Sequence, residues 1–158
     1  MKYRVLIQKV FFTFLVMNMG LSCIRSSKNE ASHYELEKRC KNLGDYQAYL
    51  ELAHANLLSN YDILSTSIFV SRKYNWEFAH YNVYLSLKPY FDDNQNKDSA
   101  LINFAIYHLD KSVELNYPQG IYDKSILLRE GRIVVKDTVL ANELLLKYNK
   151  LIDGLKSE

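Results

Sequence analysis

The side chains best suited to metal binding or nucleophilic attack in this 158-residue chain are two cysteines, Cys23 and Cys40, and four histidines, His33, His54, His80 and His108. A zinc site needs its ligands together, as two histidines at i, i+4 on one helical face or as tight Cys/His clusters. These histidines are scattered, so no metal site is expected, and His80 and His108 read as residues that cap or line helix packing. Cys40 stands between Arg39 and Lys41 with no histidine assignable beside it, which describes a partly buried free thiol rather than an activated nucleophile. Asp92, Asp93, Asn94 and Asn96 lack the glycine and terminal glutamate of a calcium loop and read as a solvated connection. The chain carries no phosphate-cradling glycine loop, no Gly-x-Ser-x-Gly elbow and no zinc-protease motif. No catalytic residue and no cofactor are therefore assigned, and the expected activity is binding.

Cys23 has a different context. Lys2, Arg4 and Lys9 precede an apolar run from Val10 to Leu21, about 12 residues against the roughly 20 that a membrane-crossing helix needs. A cationic start, a short apolar stretch and small residues describe an export signal over residues 1–22. In an oxidising compartment Cys23 could pair with Cys40. The segment Gly20-Leu21-Ser22-Cys23, directly after the apolar run, instead resembles the lipobox of bacterial lipoproteins, whose cysteine thiolate accepts a diacylglyceryl group. That resemblance implies that Cys23 becomes the lipidated first residue of the mature chain. Buried acyl carbons, each contributing about 0.8 kcal/mol, would then hold it to a membrane. The residue after the cysteine is Ile24 rather than aspartate, which in enteric-type sorting favours the outer over the inner membrane. Residues 23–32 are then the anchor and a polar tether, and a soluble secreted form is the alternative.

Without the three N-terminal cations the exported part has 17 basic against 18 acidic residues, so nucleic acid is not an expected partner. The whole chain has 48% apolar residues, 5 Gly and 2 Pro, a composition that suits a single helical domain over 33–158. Helical spacing predicts a short helix from Ala31 to Asn42 ending at Gly44, and a second capped by Asp45 that carries Tyr46, Tyr49, Leu50, Ala53 and Leu57. Asn60 to Asp62 is expected to turn the chain. A third helix ends near Asn75, and a fourth, with Phe78, Ala79, Tyr81, Val83, Leu85 and Leu87, ends near Pro89. Phe91 to Lys97 is expected to be a polar loop. Asp98 should cap a fifth helix, Pro118 begin a sixth and Asp137 a seventh.

Shifting the chain by 41 residues overlays Asn75 on Asn116, Ala79 on Gly120, Tyr81 on Tyr122, Leu87 on Leu128 and Ala100 on Ala141. A period near 40 predicts helix-turn-helix repeats stacked in a short α-solenoid, an all-α fold. Asn116-Tyr117-Pro118-Gln119-Gly120-Ile121-Tyr122, continued through Gly131, Val134 and Asp137 to Ala141, resembles one unit of the Sel-one-like repeats, relatives of the tetratricopeptide repeats. The clearest units are 75–115 and 116–154. In that pattern Gly131 ends one helix with a positive φ, Asp137 caps the next and Ala141 allows close helix approach. Ile133, Ser125 and Lys124 depart from the pattern, and the earlier unit keeps Ala79, Tyr81 and Ala100 but loses the glycine turn.

The resemblance implies a curved surface for a protein or peptide partner and names no substrate. With 13 tyrosines the chain is rich in a side chain suited to half-wet contact surfaces. Tyr81 and Tyr122 fall on structural positions of the repeat, which leaves Trp76, Tyr84 and Tyr107 as the contact candidates. The expected protein is a lipid-anchored, periplasm-facing interaction module, an adaptor or assembly factor. The alternatives are an immunity protein that neutralises a toxin delivered to the periplasm, and a structural envelope lipoprotein.

Overall fold

A computed structural model describes residues 32–54, 60–92 and 98–156, apart from the side chains of Asn60, Tyr61 and Asp92. The described residues form helices and turns with no strand, so the fold is all-α. Residues 1–31, including the expected export signal and Cys23, lie outside them, as do Leu57 and positions 93–97 of the expected loop. No helix among the described residues is long and apolar enough to cross a membrane. By contact the chain divides into two compact units, Met1–Leu57 and Leu58–Glu158.

In the first unit, α1 comprises α-helical residues 32–38 and one π turn, Arg39–Leu43; Ser32, expected in the tether, is already helical. Gly44, at φ 66°, closes the turn by donating its N–H to the Arg39 carbonyl. Asp45 then serves both neighbours. Its Oδ1 accepts from the Ala48 N–H at 3.0 Å and caps α2 (Tyr46–His54), while its Oδ2 accepts from Arg39 Nε at 3.0 Å and Nη2 at 2.6 Å. Those donors hold the Asp45 carboxyl below the usual aspartate range, the Ala48 N–H most of all. Cys40, Ala48, Tyr49 and Leu52 are buried.

The second unit runs α3 (Asn60–Tyr74), α4 (Glu77–Leu87), α5 (Pro89–Asp92), α6 (Ser99–Glu114), α7 (Pro118–Glu130) and α8 (Thr138–Leu155). Packing follows chain order: α3 on α4, α4 on α6, α6 on α7 and α7 on α8. Two expectations change here. Asn60 to Asp62, read as a turn, is the first turn of α3, with Asp62 near the helix N-terminus where a carboxylate is favourable. Phe91, read as loop, lies in α5 and is 6% exposed. Pro89 ends α4 but is compatible with starting a new turn, which lets Phe91 return to the core.

α4 sits between α3 and α6 and is buried almost all round, from Ala79 through Tyr84 and at Leu87. Its Tyr81, Val83, Tyr84 and Leu87 join Phe91, Ala105, Leu109 and Leu127 in one cluster, flanked by Phe78, Phe104, Tyr117, Ile133 and Val134. Asp98 caps α6 through the N–H groups of Ala100 and Leu101, and Asp137 caps α8 through that of Leu140. Asn75 (φ 54°), Asn116 (φ 64°) and Gly131 (φ 69°) end α3, α6 and α7 in the left-handed region.

The 41-residue shift carries the start of α4 at Glu77 onto that of α7 at Pro118. Beyond α7 the correspondence is lost, because residues 131–137 connect α7 to α8 where the longer stretch 88–98 separates α4 from α6. Ala100 is consequently exposed in the first turn of α6, whereas Ala141 is fully buried; the buried alanine of α6 is Ala105. The departures from the repeat pattern each have a local partner. Lys124 pairs with Asp110 of α6 at 2.7 Å, Ser125 donates to the Tyr122 carbonyl at 2.7 Å, and Ile133 packs against the core.

Gly120 is the tightest helix approach among the glycines described. A Cβ there would stand 2.1 Å from Ser112 Oγ and 3.1 Å from Ser112 Cβ. Ser112 is itself held by donating to the Leu109 carbonyl at 2.7 Å. Gly120→Ala should therefore lower stability by about 1–3 kcal/mol through overpacking. Adding Ser112→Ala should recover part of the loss. Urea unfolding of the parent and the two variants checks this, and a Gly120→Ala chain as stable as the parent would show that α6 and α7 separate without cost.

Candidate functional site

The end of α3, the first turn of α4 and the middle of α6 bring together the residues with most chemical character. Asn75, in the left-handed region at the end of α3, turns its side chain back over the first turn of α4. Its Oδ1 lies 3.1 Å from His80 Nε2, and His80 Nδ1 lies 2.9 Å from Nδ1 of His108 on α6. His80 and His108 are 3% and 1% exposed, so each ring nitrogen in this chain must be matched as donor or acceptor. One arrangement satisfies it: His80 donates from Nε2 to Asn75 and accepts at Nδ1, and His108 donates its Nδ1 proton to His80.

Charge has no place in that arrangement. Burial pushes the His80 imidazolium below the usual histidine range, with Lys111 adding to the effect against the opposing Ser71 carbonyl and Glu114. Burial, His80 and Arg72 lower His108 to about 4. The sequence placed both histidines in helix packing but not against each other. Their separation of 28 residues carries no spacing signal, because the pair exists only through the contact of α4 with α6.

Around this buried pair lies an aromatic and cationic surface. Tyr74 and Trp76 stack with centroids 4.9 Å apart, and Lys73 Nζ stands 5.0 Å from the Tyr74 ring centre and 5.4 Å from that of Phe69. On α6, Tyr107 meets His108 edge-on at 5.3 Å and has Lys111 Nζ 5.9 Å above its ring. Phe69 and Tyr107 are 41% and 53% exposed.

Of the three contact candidates, Trp76 is half-buried and Tyr107 exposed, so both can reach a partner. Tyr84 cannot: it is 0% exposed in the hydrophobic cluster, its ring 6.1 Å from Tyr81 and 6.2 Å from Phe91. Falling outside the repeat's structural positions does not free it, because α4 packs against both α3 and α6 and has no wet face at that position. Tyr81, nearly buried, donates its hydroxyl to Asp123 of α7 at 3.2 Å, and burial together with that carboxylate raises its pKa. Tyr122 packs on Tyr148 at 5.2 Å. Ala79, Gly120 and Ala141 are buried.

Cys40 is a poor nucleophile in this setting, since burial pushes its thiol up to about 11. Among the described residues no three His, Cys, Asp or Glu side chains gather as a metal site would require. Comparison with protein-family models, with curated proteins and with solved structures gives no match.

Two expected outcomes follow from this geometry. Both imidazoles have lowered pKa values in the fold, so the unfolded chain binds protons first as the pH falls. Their contribution to stability is complete above about pH 6.5, the ordinary histidine value, and declines as the pH falls towards 4. Denaturant midpoints measured across that window should drop. In His108→Phe they should drop less steeply, from a starting stability lower by about 1–3 kcal/mol because His80 Nδ1 loses its partner. An equally steep parent and variant would remove the pair as the cause. Separately, Tyr84→Ala should cost about 3–5 kcal/mol, while Tyr107→Ala should move the thermal midpoint little.

Proposed function

We propose that this chain is a lipid-anchored envelope protein whose helical unit binds a protein or peptide partner. The binding half rests on two sets of rings interleaved with cations, Phe69, Lys73, Tyr74 and Trp76 towards the end of α3 and Tyr107 with Lys111 on α6. Aromatic anchors of this kind lose little conformational entropy on binding and dominate interface energetics. The buried histidine pair beneath them fixes the relation of α4 to α6, so the surface is pre-organised. Cys40, the one cysteine among the described residues, has a thiol kept protonated at neutral pH, which favours binding over thiol chemistry.

The anchoring half rests on Gly20-Leu21-Ser22-Cys23 after a short apolar run. Its resemblance to a lipobox puts the mature protein on the periplasmic side of a bacterial envelope, with Ile24 favouring the outer membrane. The helical repeats, read as a short solenoid, then present their surface to that compartment. An adaptor or assembly role is the reading that needs no further assumption about the partner.

Intact mass of the protein from a membrane fraction tests the anchor. The parent should lack residues 1–22 and carry the added mass of acyl chains at Cys23, and Cys23→Ser should lose that mass and leave the membrane fraction. A processed but unacylated parent would sink the anchor and leave a secreted soluble protein.

A further inference from the structure

The helix that ends the second unit presents a bare face of definite pattern. Ala141, fully buried, and the half-buried Leu144, Leu145 and Tyr148 mark the side of α8 turned to α7. At helical spacing on the opposite side stand Val139, Glu143, Leu146 and Lys150. Val139 is 69% and Leu146 62% exposed, large apolar side chains on the outward stripe of an otherwise charged helix. Glu143, Leu146, Lys147, Lys150 and Leu151 line a shallow depression along it.

Over the central turns of this stripe the order of charges is acid before Leu146 and base after it, and Asp153, next along, pairs with Lys156 of its own helix at 3.8 Å. Two copies of α8 laid antiparallel across a two-fold axis between positions 146 and 147 set Glu143 of each against Lys150 of the other, twice. That same register sets Leu146 against the aliphatic stem of the other copy's Lys147 and Val139 opposite Gly154. A Cβ at Gly154 would meet nothing within 4 Å, so the protruding valine meets room to enter. A parallel arrangement would instead place acid on acid and base on base. We propose that the outer face of α8 is a self-docking surface through which a second copy of this chain binds antiparallel, with the two Glu143–Lys150 pairs setting the register.

Sedimentation velocity of the full chain in mild detergent, over a rising protein concentration, tests the idea. The parent should pass from monomer to dimer. Glu143→Lys, which sets lysine against Lys150, should weaken the dimer at least about tenfold, and Leu146→Asp should leave a monomer. The double reversal Glu143→Lys with Lys150→Glu should restore dimerisation to within about threefold of the parent, since the swapped charges again oppose. Helical circular dichroism should be unchanged in all of them, because each side chain is on the outward stripe. A parent that stays monomeric at every concentration overturns the proposal. A dimer indifferent to these substitutions, or a double reversal no better than Glu143→Lys alone, overturns it too.

Discussion

The second unit depends on a helix with almost no solvent face. α4 packs against both α3 and α6, and burial there makes a polar side chain such as His80 costly unless it is matched inside the protein. His80 is the severest case, answered on one side by Asn75 at the turn and on the other by His108. The chain of three side chains ties the end of α3, the start of α4 and the last turns of α6. A hydrocarbon contact would tolerate sliding, whereas four atoms matched as donor and acceptor in two hydrogen bonds define one register between helices. The aromatic surface above inherits that definition: Trp76 begins α4 directly after Asn75, and Tyr107 directly precedes His108. Buried polarity here serves geometry more than stability, and it does so in the neutral state only.

What the chain reveals in one dimension is uneven, for identifiable reasons. Caps were legible because they are local: Asp45, Asp98 and Asp137 each bond an N–H two or three residues on, and Gly44 and Gly131 supply the positive φ that stops a helix. The start of α7 at Pro118 was legible for the same reason. Phe91 was misread because a polar neighbourhood outweighed one large ring that returns to the core. Tyr84 was misread because periodicity gives the angle of a side chain around its helix but not how many neighbours surround that helix. The alignment of Ala100 with Ala141 failed because a repeat period persists only while connection lengths do, and the α7–α8 connection is shorter. The imidazole pair lay beyond reach altogether, since nothing in the spacing of two histidines says that their helices touch.

The two halves of the functional reading draw on different parts of the chain. The proposed anchor rests on the residues around Cys23, which lie outside those the structure describes, and the proposed binding on residues between Phe69 and Lys111. Among the described residues, rings and cations stand at the surface while Cys40, His80 and His108 are buried.

The helices of the second unit pack mainly in chain order, with Asn75-Trp76 alone joining α3 to α4 and a three-residue link joining α6 to α7. Contacts of that kind close small loops and give a low contact order, the condition for rapid folding. They also make folding vectorial. As the chain emerges from a ribosome or a translocation channel, α3 and α4 can meet before α6 has appeared, and each later helix finds its surface already formed. The contact of His80 with His108 must wait for α6, so the polar contact that fixes the register between α4 and α6 is made only once the hairpin it joins is in place.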